Sequence, residues 1–137
     1  LEAAEECGIK VIWVMGRERT YVDGNGNESI RSLLTPTGHT INQQFCNFLH
    51  DIAIEFRGNS TLIGYDLFNE LLSYNGIEGC TTPYELSETV KSLVESIKFV
   101  DRNHFITVGH VSIRTLFILG VEPFKHCDVH SFHLYEV

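Results

Sequence analysis

Two polar residues, Asn69 and Glu70, follow directly after an apolar run at residues 62–68 (LIGYDLF). A run of this length that is rich in β-formers and contains a glycine is typical of a buried strand. In parallel α/β sheets and in (β/α)8 barrels, ligands bind beyond the carboxyl ends of the strands. A carboxylate there can donate or accept a proton, so the position favours a chemical role for Glu70. The alternative is a solvated loop acid that caps the next helix.

A second polar pair, His133 and Tyr135, lies in the run 128–135 (DVHSFHLY), which is also predicted to be a strand. Side chains alternate across a strand, so this pair shares one face with Ser131, while His130 points to the other face. The spacing of His130 and His133 is therefore poor for holding one metal ion. The pair could offer hydrogen bonds to a polar ligand at the end of the strand. A core pair satisfied by backbone carbonyls is the alternative.

Helices and strands alternate along the rest of the chain. Apolar runs predict strands at residues 9–15 and 104–109, and apolar stripes at helical spacing predict helices at 41–57, 83–101 and 112–119. This alternation predicts an α/β fold with parallel strands joined by right-handed crossovers. No internal repeat or linker divides the chain, so residues 1–137 are assigned to one domain.

The composition excludes several kinds of partner. A net charge of −8 argues against nucleic acid or an anionic membrane, and no run of about 18 apolar residues is present to span a bilayer. The four cysteines are far apart, so at least three are expected to be free buried thiols. An Asp-x-Asn-x-Asn spacing at residues 23–27 lacks the later glycine and glutamate of a calcium loop. No metal or cofactor is therefore expected.

The two polar motifs together resemble those of the clan A glycoside hydrolases, and among them the family 5 cellulases and mannanases. In that family the fourth barrel strand ends in Asn-Glu and the sixth in His-x-Tyr. Here the corresponding segments are residues 64–70 (GYDLFNE) and 133–135 (HLY), with two helices and one strand between them. The resemblance implies a (β/α)8 TIM-barrel type of fold, present as a partial barrel of about strands three to six.

The resemblance also implies a reaction, the retaining hydrolysis of a β-linked polysaccharide of mannan or glucan type. Glu70 would be the general acid/base, which protonates the leaving oxygen and then activates water. Asn69 would hydrogen-bond the sugar 2-hydroxyl beside the scissile bond.

Four further residues are candidates for binding the substrate. By the resemblance, His133 and Tyr135 would shape the site and hydrogen-bond the substrate. Tyr74 and Arg17 lie in predicted loops at the same face and could contact a glycan. Ordinary loop surface is the alternative for each of the last two.

The second carboxylate of a retaining glycosidase lies about 5–5.5 Å from the first and acts as the nucleophile. In this clan it comes from the seventh strand, whereas the sequence stops just after the predicted sixth, and Glu136 lies on the wrong strand to replace it. We therefore expect an internal piece of a catalytic domain that is inactive alone. Its open sheet edges are expected to favour self-association.

Two other interpretations stay open at this point. One is a barrel domain that binds carbohydrate without cleaving it. The other is an unrelated doubly wound domain that binds a nucleotide or flavin, although no G-x-G-x-x-G or P-loop follows any predicted strand. Two N-x-S/T sequons, at Asn27 and Asn59, are consistent with an extracellular location.

Overall fold

The structure is a computed structural model, and it describes residues 1–16, 40–69, 82–110 and 120–133. Its elements in chain order are α1 (Glu2–Glu6), β1 (Val11–Val14), α2 (Thr40–Phe56), β2 (Leu62–Asp66), α3 (Pro83–Lys98), β3 (Phe105–His110), a 3₁₀ helix (Glu122–Phe124) and β4 (Val129–Phe132). Each of the four predicted strands overlaps one of these strands. The predicted helix at residues 112–119 lies outside the described residues.

The four strands of the described residues form one parallel sheet in the order β1-β2-β3-β4. Each strand therefore lies beside the next strand in the sequence, which is the order found in a (β/α)8 barrel. A doubly wound sheet would instead reverse its strand order at a switch point. The predicted parallel α/β fold of barrel type is confirmed.

The register between β1 and β2 decides which side chains share a face. Ile63 is an extra residue in β2, inserted between two successive pairs of the ladder. Beyond it the register is regular, with Trp13 opposite Tyr65 and Val14 opposite Asp66. Paired residues project to the same side of a sheet. Trp13 and Tyr65 thus lie on one face, and Val14 and Asp66 lie on the other.

Helices α2 and α3 cover the face that carries Trp13, whose ring lies 5.2 Å from that of Phe56 in α2. Burial of apolar side chains between the sheet and these helices forms the core. Its main members are Phe45, Leu49, Ala53, Leu62, Tyr65, Leu67, Phe68, Leu86, Val90, Leu93, Ile97, Ile106, Val108 and Phe124. The opposite face, here called the open face, leaves Ile12, Val14 and Val129 exposed at 47%, 44% and 44%.

Helix α3 begins with a reciprocal pair of capping hydrogen bonds. The Thr82 hydroxyl accepts from the backbone N–H of Glu85 at 3.2 Å, and the Glu85 carboxylate accepts from the backbone N–H of Thr82 at 2.8 Å. Pro83 occupies the first helical position, where its missing N–H costs nothing. This cap fixes where α3 starts and so how it lies against the sheet.

A buried polar network ties α3 to β2 and β3 at the end of the sheet away from the strands' carboxyl ends. The Asp101 carboxylate accepts hydrogen bonds from the Tyr65 hydroxyl at 3.0 Å and from His104 Nδ1. Burial raises the pKa of Asp101, but the bonds from His104, Asn103 and Tyr65 outweigh it and lower the pKa overall. Because Asp101 stays ionised and fully bonded, the network stabilises the fold.

The described cysteines are free thiols: Cys7, Cys46 and Cys127. Cys46 is buried as expected for at least three of the four cysteines, Cys127 is partly buried, and Cys80 lies outside the described residues. Cys7 is exposed, because it follows the short helix α1, which buries none of its residues. None of the described helices is long and apolar enough to cross a membrane.

Candidate active site

Backbone hydrogen bonds bring the carboxyl ends of the four strands to one edge of the sheet. The N–H of Asn69 donates to the carbonyl of Gly16, 3.0 Å away, just beyond β1. The N–H of Gly109 donates to the carbonyl of Phe68 at 3.0 Å, and that of His133 to the carbonyl of His110 at 2.9 Å. Asn69 and His133, predicted from separate motifs, therefore lie at the same edge.

The strand register also places His133 on the open face. Asp66 pairs with Thr107 of β3, and Gly109 pairs with Ser131 of β4. His133 follows Ser131 by two residues and so projects to the same side. This side faces away from α2 and α3, where a ligand at the strand ends could reach it.

Asp66 is a carboxylate buried on this face, only 6% exposed. Its Oδ1 accepts hydrogen bonds from the backbone N–H groups of Gly109 at 2.9 Å and Phe68 at 3.2 Å. Burial raises the pKa of Asp66, and these two donors together with the nearby His133 act in the opposite direction. The pKa remains above the ordinary value of 3.8.

Gly109 leaves room between Asp66 and His133. A Cβ atom built on Gly109 would lie 3.0 Å from Asp66 Oδ2 and 3.4 Å from His133 Nε2. The same atom would lie 3.0 Å from the carbonyl oxygen of Phe68. Glycine is therefore the residue that allows the carboxylate and the imidazole to approach each other across β3.

His110 lies on the covered face behind the same edge and is fully buried. Its ring contacts Phe124 edge-on at 4.5 Å and stacks on Phe132 at 5.5 Å. Neither ring nitrogen has a hydrogen-bond partner within the part of the chain that the structure describes. Burial, and then the charges of His130 and His133, lower the pKa of His110 to about 4. His110 is consequently neutral at physiological pH.

The structure describes two of the six residues predicted for the site. Asn69 and His133 are brought to the same edge of the sheet, whereas Glu70, Tyr135, Tyr74 and Arg17 lie outside the described residues. The described residues contain no group of three or more histidine, cysteine or acidic side chains that could hold a metal ion.

Sequence reasoning missed Asp66 and Gly109. The available signal was a lone acidic residue inside an otherwise apolar strand, LIGYDLF. A buried charge is costly unless it is bonded, so such a residue marks a position with specific partners. The partners themselves lie on other strands and could not be identified from local spacing.

The fold and the polar strand ends define a parallel α/β domain with polar side chains at the carboxyl edge of its sheet, the edge at which such folds bind ligands. A model of the cellulase family, glycosyl hydrolase family 5, matches residues 1–136. The chain therefore belongs to glycosyl hydrolase family 5.

Structural comparison agrees with this family at the level of the fold. The chain is similar to a solved beta-1,4-mannanase from the common sea hare Aplysia kurodai, with a TM-score of 0.67 and 16% sequence identity. That match covers 100% of this chain and 49% of the mannanase, so the chain spans about half of the solved protein's length. No curated protein sequence matches the chain.

Proposed function

We propose that this chain carries the acid/base half of a retaining glycoside hydrolase that cleaves a β-linked polysaccharide of mannan or glucan type. The observation that carries the proposal is the meeting of Asn69 and His133 at one edge of the sheet in a family 5 chain. The edge is the one at which barrel enzymes bind their substrates.

Glu70 follows Asn69 in the sequence, and in the proposed mechanism it is the general acid/base. Its carboxylic acid protonates the leaving oxygen in the first step, and its carboxylate then takes a proton from the attacking water. Asn69 donates a hydrogen bond to the sugar 2-hydroxyl. Hydrogen bonds at this position strengthen in the transition state, so they accelerate the reaction and do not merely tighten binding.

The remaining site residues are proposed to bind the glycan. His133 hydrogen-bonds the sugar just beyond the end of β4. Tyr135, Tyr74 and Arg17, which are predicted from the sequence, are proposed as further contacts of the glycan. His133 is partly buried and lies on the open face, which suits a side chain that contacts a ligand on one side only.

The nucleophile of the proposed reaction is a second carboxylate outside this chain. Retaining hydrolysis needs it about 5–5.5 Å from Glu70, and the family places it on a later strand of the barrel. Residues 1–137 alone are therefore proposed to be inactive. The exposed apolar side chains of the open face favour pairing of two copies, which we propose as the state of the isolated segment.

The test is hydrolysis of soluble mannan, β-glucan, xylan and aryl β-glycosides by the protein in its longest available form. We expect turnover on mannan or β-glucan, and a fall in kcat of about 100- to 10,000-fold in Glu70→Gln, the range typical for loss of a general acid/base. Glu55→Gln removes the same charge from an exposed position on α2 and should leave turnover unchanged.

Two results would contradict the proposal. Equal turnover in Glu70→Gln and Glu55→Gln would remove Glu70 from the mechanism. Binding of a glycan without hydrolysis of any substrate would instead favour the non-catalytic carbohydrate-binding domain. An extracellular location stays a prediction from the sequons, which secretion of the protein with a glycan on Asn59 would support.

A further inference from the structure

A carboxylate buried on a sheet face needs a reason, because burial of an isolated charge costs free energy. Asp66 is only 6% exposed and is paired in the ladder with Val14 and Thr107, neither of which carries charge. The mechanism proposed above assigns it no part. Asp66 nevertheless lies at the end of the strand that precedes Asn69, and its side chain is on the open face, as is that of His133.

The two oxygens of Asp66 have different surroundings. Oδ1 is held by the backbone N–H groups of Gly109 and Phe68, at 2.9 Å and 3.2 Å, which fixes the rotation of the carboxyl group. Oδ2 is turned toward the space above Gly109. His133 Nε2 approaches that same space from the far side of β3. The carboxylate and the imidazole thus face each other because residue 109 has no side chain.

The charged groups nearby support an interaction between this pair. The charge of His133 is one of the causes that lower the pKa of Asp66 against the effect of burial. Among the described residues, the other titratable groups that interact with one of the pair are His110 and Cys127, the latter with a pKa raised by burial and by Asp128 and Asp66. The exposed His130 interacts with His110, and both of these histidines project to the side of the sheet opposite to His133. None of these three groups bears a negative charge at neutral pH, so none of them competes with Asp66 for the His133 proton.

We propose that Asp66 is a positioning residue that orients the imidazole of His133 through Oδ2, across the gap left by Gly109. A carboxylate facing one ring nitrogen favours a proton on that nitrogen and fixes the ring's orientation. The proton is therefore held on Nε2, which makes Nδ1 the accepting nitrogen of the ring. The part of this proposal that concerns the glycan rests on the proposed function.

The coupling between the two residues is tested by the NMR chemical shifts of the His133 ring nitrogens, which report the nitrogen that holds the proton and need no enzyme activity. Asp66→Asn can keep Oδ1 as an acceptor for both N–H groups, while it removes the charge and replaces Oδ2 by an NH₂ group. We expect the preference of the His133 proton for Nε2 to weaken or reverse, because the facing carboxylate that favours it is gone. Asp51→Asn, at an exposed position on α2, removes a distant charge and should leave the tautomer preference unchanged. An unchanged tautomer preference in Asp66→Asn would overturn the proposal.

Gly109→Ala provides a second variant in case Asp66→Asn fails to fold. Its methyl group would lie 3.0 Å from Asp66 Oδ2 and from the Phe68 carbonyl oxygen, and 3.4 Å from His133 Nε2, so the carboxylate must shift. The charge is kept while its position changes, so the preference of the His133 proton for Nε2 should weaken by less than in Asp66→Asn. A tautomer preference equal to that of the wild type would count against the proposal.

Activity separates this proposal from the proposed function. In the longest active form, Asp66→Asn should lower kcat/KM by about 10- to 100-fold, as expected when the partner of a ligand-contacting histidine is removed. The two variants should rank in kcat/KM in the order of their His133 tautomer preference. A changed tautomer preference in a protein without glycosidase turnover would retain the positioning role and refute the proposed function. Turnover with an unchanged tautomer preference would refute the positioning role alone.

Discussion

Lowering the pH should destabilise the folded chain in part through the side chain of His110. It is fully buried against Phe124 and Phe132, and neither ring nitrogen has a hydrogen-bond partner in the described residues. Protonation would place a charge in this apolar setting, beside His130 and His133. Burial and these two histidines accordingly lower the pKa of His110 to about 4.

The sign and size of the effect follow from proton binding. An unfolded chain binds a proton at His110 near its ordinary pKa of 6.5, whereas the folded chain binds it near 4. Between these two values the unfolded state holds more protons, so the free energy of unfolding falls as the pH drops. Each pKa unit corresponds to about 1.4 kcal/mol, so the complete loss is about 3 kcal/mol. At neutral pH and above, this contribution to the free energy of unfolding is retained in full.

The measurement is urea unfolding of the wild type and of His110→Leu at several pH values between about 7.5 and about 4. Carboxylates also titrate in the lower part of this range, so the contribution of His110 is the difference between the two proteins. We expect His110→Leu to lose about 3 kcal/mol less than the wild type over this range. His50→Leu removes a histidine far from the β3–β4 edge and serves as the control. Equal pH dependence in the wild type and His110→Leu would refute the reasoning.

Three further changes test other parts of the structure. Thr82→Ala should lower the free energy of unfolding by about 1 kcal/mol, because it removes the cap of α3, and equal unfolding midpoints would show that the cap contributes nothing. Tyr65→Phe should cost about 1–2 kcal/mol by removing the hydrogen bond to Asp101, a cost that should disappear in an Asp101→Asn background if the two residues interact. Val14→Lys should reduce self-association of the isolated segment in sedimentation experiments, and a monomeric wild type would contradict pairing through the open face.

The order of elements could be predicted because each depends on local sequence. The runs at residues 62–68 and 104–109 contain too many β-formers for a surface loop, and the stripes of α2 and α3 have clear helical spacing. The Asn-Glu motif at residues 69–70 and the His-x-Tyr motif at residues 133–135 also sufficed to predict that Asn69 and His133 lie at one edge of the sheet. Parallel strands bring their carboxyl ends together whatever the sequence between them.

The pairing of side chains across strands could not be predicted. The extra residue Ile63 changes which residues of β2 match those of β1, and a shift of one residue exchanges the two faces. Gly109 contributes only the absence of a side chain, which leaves space between Asp66 and His133. Those two residues are 67 positions apart in the sequence, so local spacing does not connect them. The burial of His110 likewise depends on Phe124 and Phe132, which come from the following element and strand.

The role of Glu70 is tested most directly by azide rescue of Glu70→Ala on an activated aryl β-glycoside, in the longest available form of the protein. The good leaving group allows the first step without an acid, and azide then replaces the water that Glu70 would activate. We predict that azide restores turnover and gives the β-glycosyl azide, with retained configuration. An α-glycosyl azide would show that Glu70 is the nucleophile, and no effect of azide on a folded variant would remove Glu70 from the chemistry.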